Sequence, residues 1–419
     1  MGLCLALYGP VLRASSVDQL AGLQSYAGHW VSSESVDSEV VGHQPGIKMF
    51  NHAVMAGQSL QVEVQQWQGD GYRTILTELI SYDARTDQIH AFGQNVEGVN
   101  FKGEGGFTTA STWVMNDVDM QGDHYLTVNF DFQDRTNVRL EGFAEDGSTL
   151  WATRYIKSNP RDKNIGVQLV SVHEEMLEAP HDTLRQLGRM GFSYVETFVY
   201  RDRQFYDMAP AEFRRLVEEA GLRFLGSMVV MDAPPPYDWA DSADWWNDCI
   251  ADHVEAGVEY LTVSNHVLKE VTTLAELQGF CDYYNALGRQ CAARGIRLAI
   301  HNHADEFREV QGTRIYDYLL ANTDPDYVFF QADIYWMTVG GVSAHEYAET
   351  YGERFLSWHV KDYKELGASG EIDWKRLFGN PAVSLPQYVI AEVEDYSYPP
   401  MHSIQLAWQY LYYELLAEN

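Results

Sequence analysis

Over the first third of the chain, apolar and polar residues alternate with a period of two. The runs Ser59–Val64, Arg73–Ile80 and Tyr125–Phe132 all read this way, as strands with one buried face do. Turn residues separate them at Gly69-Asp70-Gly71, Gly103-Glu104-Gly105-Gly106 and Asp146-Gly147-Ser148. Short strands at regular spacing predict an all-β domain over residues 17–156, an antiparallel barrel or sandwich. Residues 157–164 are polar, contain a proline and read as a linker.

From residue 165 to 419 the pattern changes. Short apolar, β-rich runs alternate with amphipathic runs of helical length, which calls for repeated βα units. Eight strands are expected, near 165–170, 194–199, 222–229, 259–264, 296–301, 327–333, 355–360 and 387–393. The clearest helical runs are 210–220, 243–256, 272–294 and 402–416. Eight units in this length predict a (β/α)8 TIM barrel, so the chain is of the α/β class with an all-β barrel in front. An open doubly wound sheet is the competitor, but no Gly-rich phosphate turn follows Val167–Val172.

Charge and cysteine usage narrow the chemistry. The formal net charge is −31, from 60 acidic and 29 basic residues, a field that repels phosphate backbones and anionic lipid and argues against a nucleic-acid partner. No stretch is long and apolar enough to span a bilayer, so stable membrane insertion is not expected. Cys4, Cys249, Cys281 and Cys291 form no CxxC pair, which excludes zinc ribbons and dithiol redox motifs and leaves buried free thiols as the expectation. Residues 1–16 hold an apolar run, Leu3–Tyr8, and a small-residue stretch, Leu12-Arg13-Ala14. They read as a signal-peptide remnant and give a periplasmic or secreted location; the missing basic segment keeps the cytoplasm as the alternative.

Active sites of TIM barrels lie at the C-terminal ends of the strands. Strand five ends in His301-Asn302-His303 with Asp305-Glu306 after it, and strand six in Gln331-Ala332-Asp333. Strand seven ends in His359-Val360-Lys361-Asp362, and strand eight in Glu392-Val393-Glu394-Asp395. Side chains two apart share a face, so four neighbouring strands would bring histidines and carboxylates to one mouth. Such a cluster is costly without a cation. Mixed nitrogen and carboxylate donors suit Mn²⁺, Zn²⁺ or Co²⁺, with Mg²⁺ less favoured.

Gly166-Val167-Gln168-Leu169, His301-Asn302-His303 with Glu306-Phe307, Asp333-Ile334-Tyr335-Trp336, Gly340-Gly341, Trp358–Asp362 and Ile372-Asp373-Trp374 follow in order along the second domain. In this set the chain resembles the sugar isomerase/epimerase family of xylose-isomerase-like TIM barrels. The resemblance implies a divalent metal at the barrel mouth, with Asp333, His359 and Glu392 at the family's ligand positions. Many members carry Glu where His301 stands, so here His301 fills that place or Glu306 reaches in from the loop, and the two-glutamate proton shuttle is in doubt. In the first domain, Gly28-His29-Trp30 resembles the Gly-x-Trp that opens lipocalin-like barrels.

The reaction implied is an isomerisation or epimerisation of a sugar or keto-sugar through an enediolate. Glu392, His301 or His303 would move the proton and Lys361 would hold the enediolate charge. Elimination of a β-substituent by a metal-dependent lyase is the alternative, and a carbohydrate-binding protein without catalysis is the non-enzyme reading. Gln168, Glu196 and Trp336 are the expected substrate contacts, Tyr335 and Trp239 candidates for an apolar wall, and Pro234-Pro235-Pro236 a stiff loop over the site. No phosphate cradle is visible, so the expected substrate is an unphosphorylated small-molecule carbohydrate. Assembly into a homo-oligomer stays open.

Overall fold

A computed structural model describes residues 17–32, 46–55, 57–69, 71–229, 239–264 and 266–416. The N-terminal apolar run with Cys4, the Pro234-Pro235-Pro236 segment and the side chain of Trp239 lie outside the described residues. The chain divides into two compact units between Ile156 and Lys157.

The first unit is a helix, Gln19–Tyr26, followed by ten antiparallel strands closed into a barrel. Each strand pairs with its chain neighbour and the last closes on the first. The period-two pattern of the sequence becomes an inside and an outside: in Asn137–Phe143, the buried residues are Val138, Leu140 and Gly142. Asp18 caps the helix by accepting from the Ala21 amide at 2.9 Å. At its other end Trp30 is fully buried and its indole N–H donates to the Tyr26 carbonyl at 2.9 Å. The Tyr26 ring in turn meets Trp113 and Phe130 edge-on at 5.5 and 5.4 Å. A lipocalin barrel has eight strands. The Gly-x-Trp tripeptide therefore marks an aromatic plug in a ten-stranded barrel and carries the lipocalin likeness no further.

The second unit is a closed barrel of eight parallel strands, and its sheet order follows the chain throughout. Strand one is Ile165–Gln168, two Tyr194–Thr197, three Arg223–Val229, four Tyr260–Ser264 and five Arg297–His301. Strand six is Val328–Asp333, seven Phe355–Lys361 and eight Tyr388–Glu392. Outward residues such as Leu298, Ile300, Phe330, Trp358 and Val360 join the large core beneath the helices. Inward residues at the N-terminal end form a smaller packed layer that includes Tyr194, Tyr260, Ala299, Tyr388 and Ile390. The big tyrosines need empty space opposite them. Gly166 provides it, because a Cβ there would stand 1.9 Å from the Tyr194 ring. Gly166→Ala is expected to cost about 1–3 kcal/mol by overpacking, read as a lower urea midpoint with an unchanged slope.

Residues 157–164 are tied to the second unit. The Asn159 side chain donates to the Met190 carbonyl at 2.7 Å, Arg161 to the carbonyls of Gly188 at 2.7 Å and of Gly221, and Lys163 to the Tyr412 carbonyl at 2.8 Å. They satisfy carbonyls left open where helices end. Cys249, Cys281 and Cys291 are buried free thiols.

Candidate metal centre and active site

Strands five, six and seven deliver His301, Asp333 and His359 to one point. One ligand atom of each lies within 4.8 Å of the others, and all three residues are buried. Parallel register explains the meeting, since His301 pairs with Gln331 and Asp333 with His359. Local structure then fixes the carboxylate. Asp333 is the N-cap of the helix Ile334–Val339, and its Oδ1 accepts from the Trp336 amide at 2.9 Å. Asn302 clasps the same residue, donating to its carbonyl at 3.2 Å and accepting from its amide at 3.0 Å. Asp333 Oδ2 is buried and takes no hydrogen bond among the described residues.

Glu392 completes the strand-eight side of the mouth. Its Oε2 stands 2.5 Å from His359 Nδ1 and its Oε1 2.9 Å from Lys361 Nζ. Lys361 also meets Glu394, and its ammonium lies over the Trp336 ring at 5.1 Å. On the strand-five side the His303 ring is 4.8 Å from that of His301 and 5.4 Å from that of Trp336. His303 is partly exposed whereas His301 is buried, so His303 faces the mouth above it.

The electrostatics follow from this packing. Burial, with His359 and His303 beside it, holds His301 well below the usual imidazole range, so it is neutral. Burial pushes Asp333 up to about 7 despite the Lys361 ammonium. Burial works against charge on His359, but Glu392 and Glu196 win and raise it to about 10. Lys361 is likewise kept charged against burial, chiefly by Glu392. Glu392 is held well below the carboxylate range by Lys361 and His359, again against burial.

Two expected substrate contacts, Gln168 and Glu196, are buried and hydrogen-bonded to each other. Glu196 is fully buried, and its oxygens receive Tyr260 at 2.7 Å, Gln331 at 2.8 Å and Gln168 at 3.1 Å, with His359 Nε2 at 3.5 Å. Gln168 is buried against it. Both are buried, and Glu196 stands between these donors and His359. Glu306 does not join the His301–Asp333–His359 group, because its Oε2 turns back to accept from the His303 amide at 2.8 Å. Burial pushes its carboxyl up to about 7. Trp336 stays at the mouth, half-buried, and Tyr335 packs against it at 4.8 Å.

Three supporting residues were missing from the expected site. Gln331 Oε1 accepts from His301 Nδ1 at 3.0 Å, and its Nε2 donates to Ser357 at 3.0 Å. Its signal was its shared parity with Asp333. Asn302 stood inside the His-Asn-His run. Tyr260 begins its strand rather than ending it, so the strand-end rule passes it over. Asn302→Ala frees the Asp333 backbone and is expected to weaken divalent-metal binding by about 10- to 100-fold, checked by titration of the metal-free protein.

Comparison with known proteins agrees with the barrel fold. A family model for the xylose isomerase-like TIM barrel matches residues 184–409. No curated protein matches the chain. The chain is similar to a solved sugar phosphate isomerase/epimerase from Parabacteroides distasonis ATCC 8503, at 25% identity and a TM-score of 0.55, over 59% of this chain and 92% of that one. A second structure of the same description and source shares 26% identity with a TM-score of 0.54, over 59% of this chain and 96% of that one.

Proposed function

The chain belongs to the xylose isomerase-like TIM barrel family, and from that premise we propose that it is a divalent-metal-dependent isomerase or epimerase of an unphosphorylated sugar or keto-sugar. The observation that carries this reading is the convergence of His301, Asp333 and His359 within 4.8 Å in a buried site. The residues fit a cation: two imidazoles and a carboxylate form a mixed donor set, and Asp333 Oδ2 is a buried acceptor that wants a positive partner. Mn²⁺, Zn²⁺ and Co²⁺ suit it better than Mg²⁺.

A cation held there supplies Lewis acidity to a substrate carbonyl. The chain's own groups account for the proton. Glu392 is the ionised carboxylate beside the donor set and takes the proton from the carbon next to the carbonyl, giving an enediolate. The Lys361 ammonium faces the charge that develops. His303, partly exposed beside Trp336, holds a proton on the other side of the mouth and returns it to the neighbouring carbon or the opposite face. Trp336 offers an apolar flank to a sugar ring. Within this mouth the one described strand-end lysine, Lys361, is already paired with two carboxylates, which supports an unphosphorylated substrate.

His303 also favours a second reading, a lyase in which the same enediolate expels a β-substituent that this histidine protonates. One experiment separates the two. The protein loaded with Mn²⁺, Co²⁺ or Zn²⁺ is incubated in heavy water with unphosphorylated ketoses and keto-glycosides. Deuterium at the carbon beside the carbonyl, with an isomer or epimer as product, is the expected result. An unsaturated product assigns the lyase, and no exchange with any metal rejects both in favour of a binding protein.

A further inference from the structure

The ten-stranded barrel encloses a cavity of about 310 Å³, within the range of small-molecule sites. Its wall is mostly apolar, from residues such as Met49, Val62, Ile80, Val128, Phe130 and Leu140. Two carboxylic acids, Glu78 and Asp117, face into it, and no Lys, Arg or His lines it among the described residues. Asp117 is only 6% exposed, and its Oδ1 has no hydrogen-bond partner among the described residues. Burial pushes Asp117 up to about 6, and burial with the charge of Asp117 pushes Glu78 up to about 8. Leaving such groups without a partner is expensive.

The barrel is shaped around these acids. The strands Gln88–Asn95 and Asn100–Phe107 run between those that carry Glu78 and Asp117. Across the sheet Ile80, Ala91, Gly103 and Asp117 fall in one row. A Cβ at Gly103 would stand 2.1 Å from Asp117 Oδ1, so the glycine is what lets the carboxyl lie inward. Glu78 also borders an outer depression whose rim includes Phe92 and Met120, 57% and 58% exposed.

We propose that the N-terminal barrel binds an amphipathic organic cation, an amine on an apolar body, with its ammonium between Glu78 and Asp117 and its body in the apolar cavity. An ammonium supplies the donors that the unpartnered carboxyl needs and brings the one positive charge to a pair of acids that has no basic neighbour in the wall. Aromatic faces of the same wall, Tyr26, Phe130, Trp151 and Tyr155, attract a cation further. A bare metal ion fits less well, since two carboxyls in an apolar wall do not replace its hydration shell.

The test is calorimetric titration of the full-length chain with octylamine, octanol and octanoate. Saturable octylamine binding is expected, with octanol and octanoate weaker by roughly tenfold or more. Glu78→Gln and Asp117→Asn, both close in shape to the native residues, should each weaken octylamine by about tenfold or more and leave octanol unchanged. His359→Gln, in the other unit, should change nothing. Equal binding of all three compounds would overturn the proposal, as would no binding of any, or octylamine binding that survives both substitutions in folded protein.

Discussion

With Asp333 replaced by asparagine, the purified protein is expected to lose its divalent metal while keeping its fold. Asparagine caps a helix about as well as aspartate, so the bond from the Trp336 amide survives and the helix Ile334–Val339 still starts correctly. What disappears is the negative charge and the free acceptor Oδ2, which is the anionic donor of the His301–Asp333–His359 group. Elemental analysis should fall from about one transition metal per chain to near none, and turnover should drop by about a thousandfold or more. His359→Ala should do the same, with one difference. It also removes the imidazole that faces both Glu392 at 2.5 Å and Glu196 at 3.5 Å, so two buried carboxylates lose a polar partner and the protein should melt earlier as well. A wild type that stays empty when offered Mn²⁺, Co²⁺ and Zn²⁺ would reject the metal reading outright.

The second large effect concerns stability against pH in the ten-stranded barrel. Glu78 is raised from the ordinary 4.5 to about 8 by burial and by Asp117. Between those values the folded barrel keeps a proton that the unfolded chain has released. Stability contributed by this proton is therefore present below about 4.5, falls as the pH rises through the window, and is gone above about 8. Glu78 is only partly buried, so solvent screens part of this and the difference is on the order of 1–3 kcal/mol. Glu78→Gln removes the titrating group and should leave the barrel more stable than wild type at alkaline pH, with little gain at acid pH. Hydrogen exchange of peptides from the strands Tyr72–Asp83 and Thr112–Asp119, corrected for intrinsic rates, reads this locally. Protection that does not depend on pH in the wild type would refute it. An amine in the cavity should restore protection in the wild type and not in the variant.

Most of the scaffold was legible in local pattern. The strand-eight expectation of 387–393 meets Tyr388–Glu392, and that of 222–229 for strand three meets Arg223–Val229, because a buried parallel strand is a short apolar run that announces itself. Parity along a strand was enough to place His301, Asp333, His359, Lys361 and Glu392 on one mouth, since alternation of side chains is a property of the extended backbone alone. The strand number of the first domain was not legible. Turn residues mark strand ends, but whether a meander closes after eight strands or ten depends on how it curls.

What only the tertiary structure decided is which groups each acid meets. Glu196 and Glu392 both end strands in the sequence. Closure of the barrel surrounds Glu196 with Gln168, Tyr260, Gln331 and His359, residues from strands one, four, six and seven that no local window brings together. Glu306 was set by a backbone amide three residues away that it meets only once the loop has turned. The cavity beside Glu78 and Asp117 exists because small residues of the two intervening strands fall in register with them. By itself the sequence determined the order of the elements and the faces of the strands, which follow from backbone geometry; partners, burial and charge state came from closure, because each depends on residues far apart in the chain.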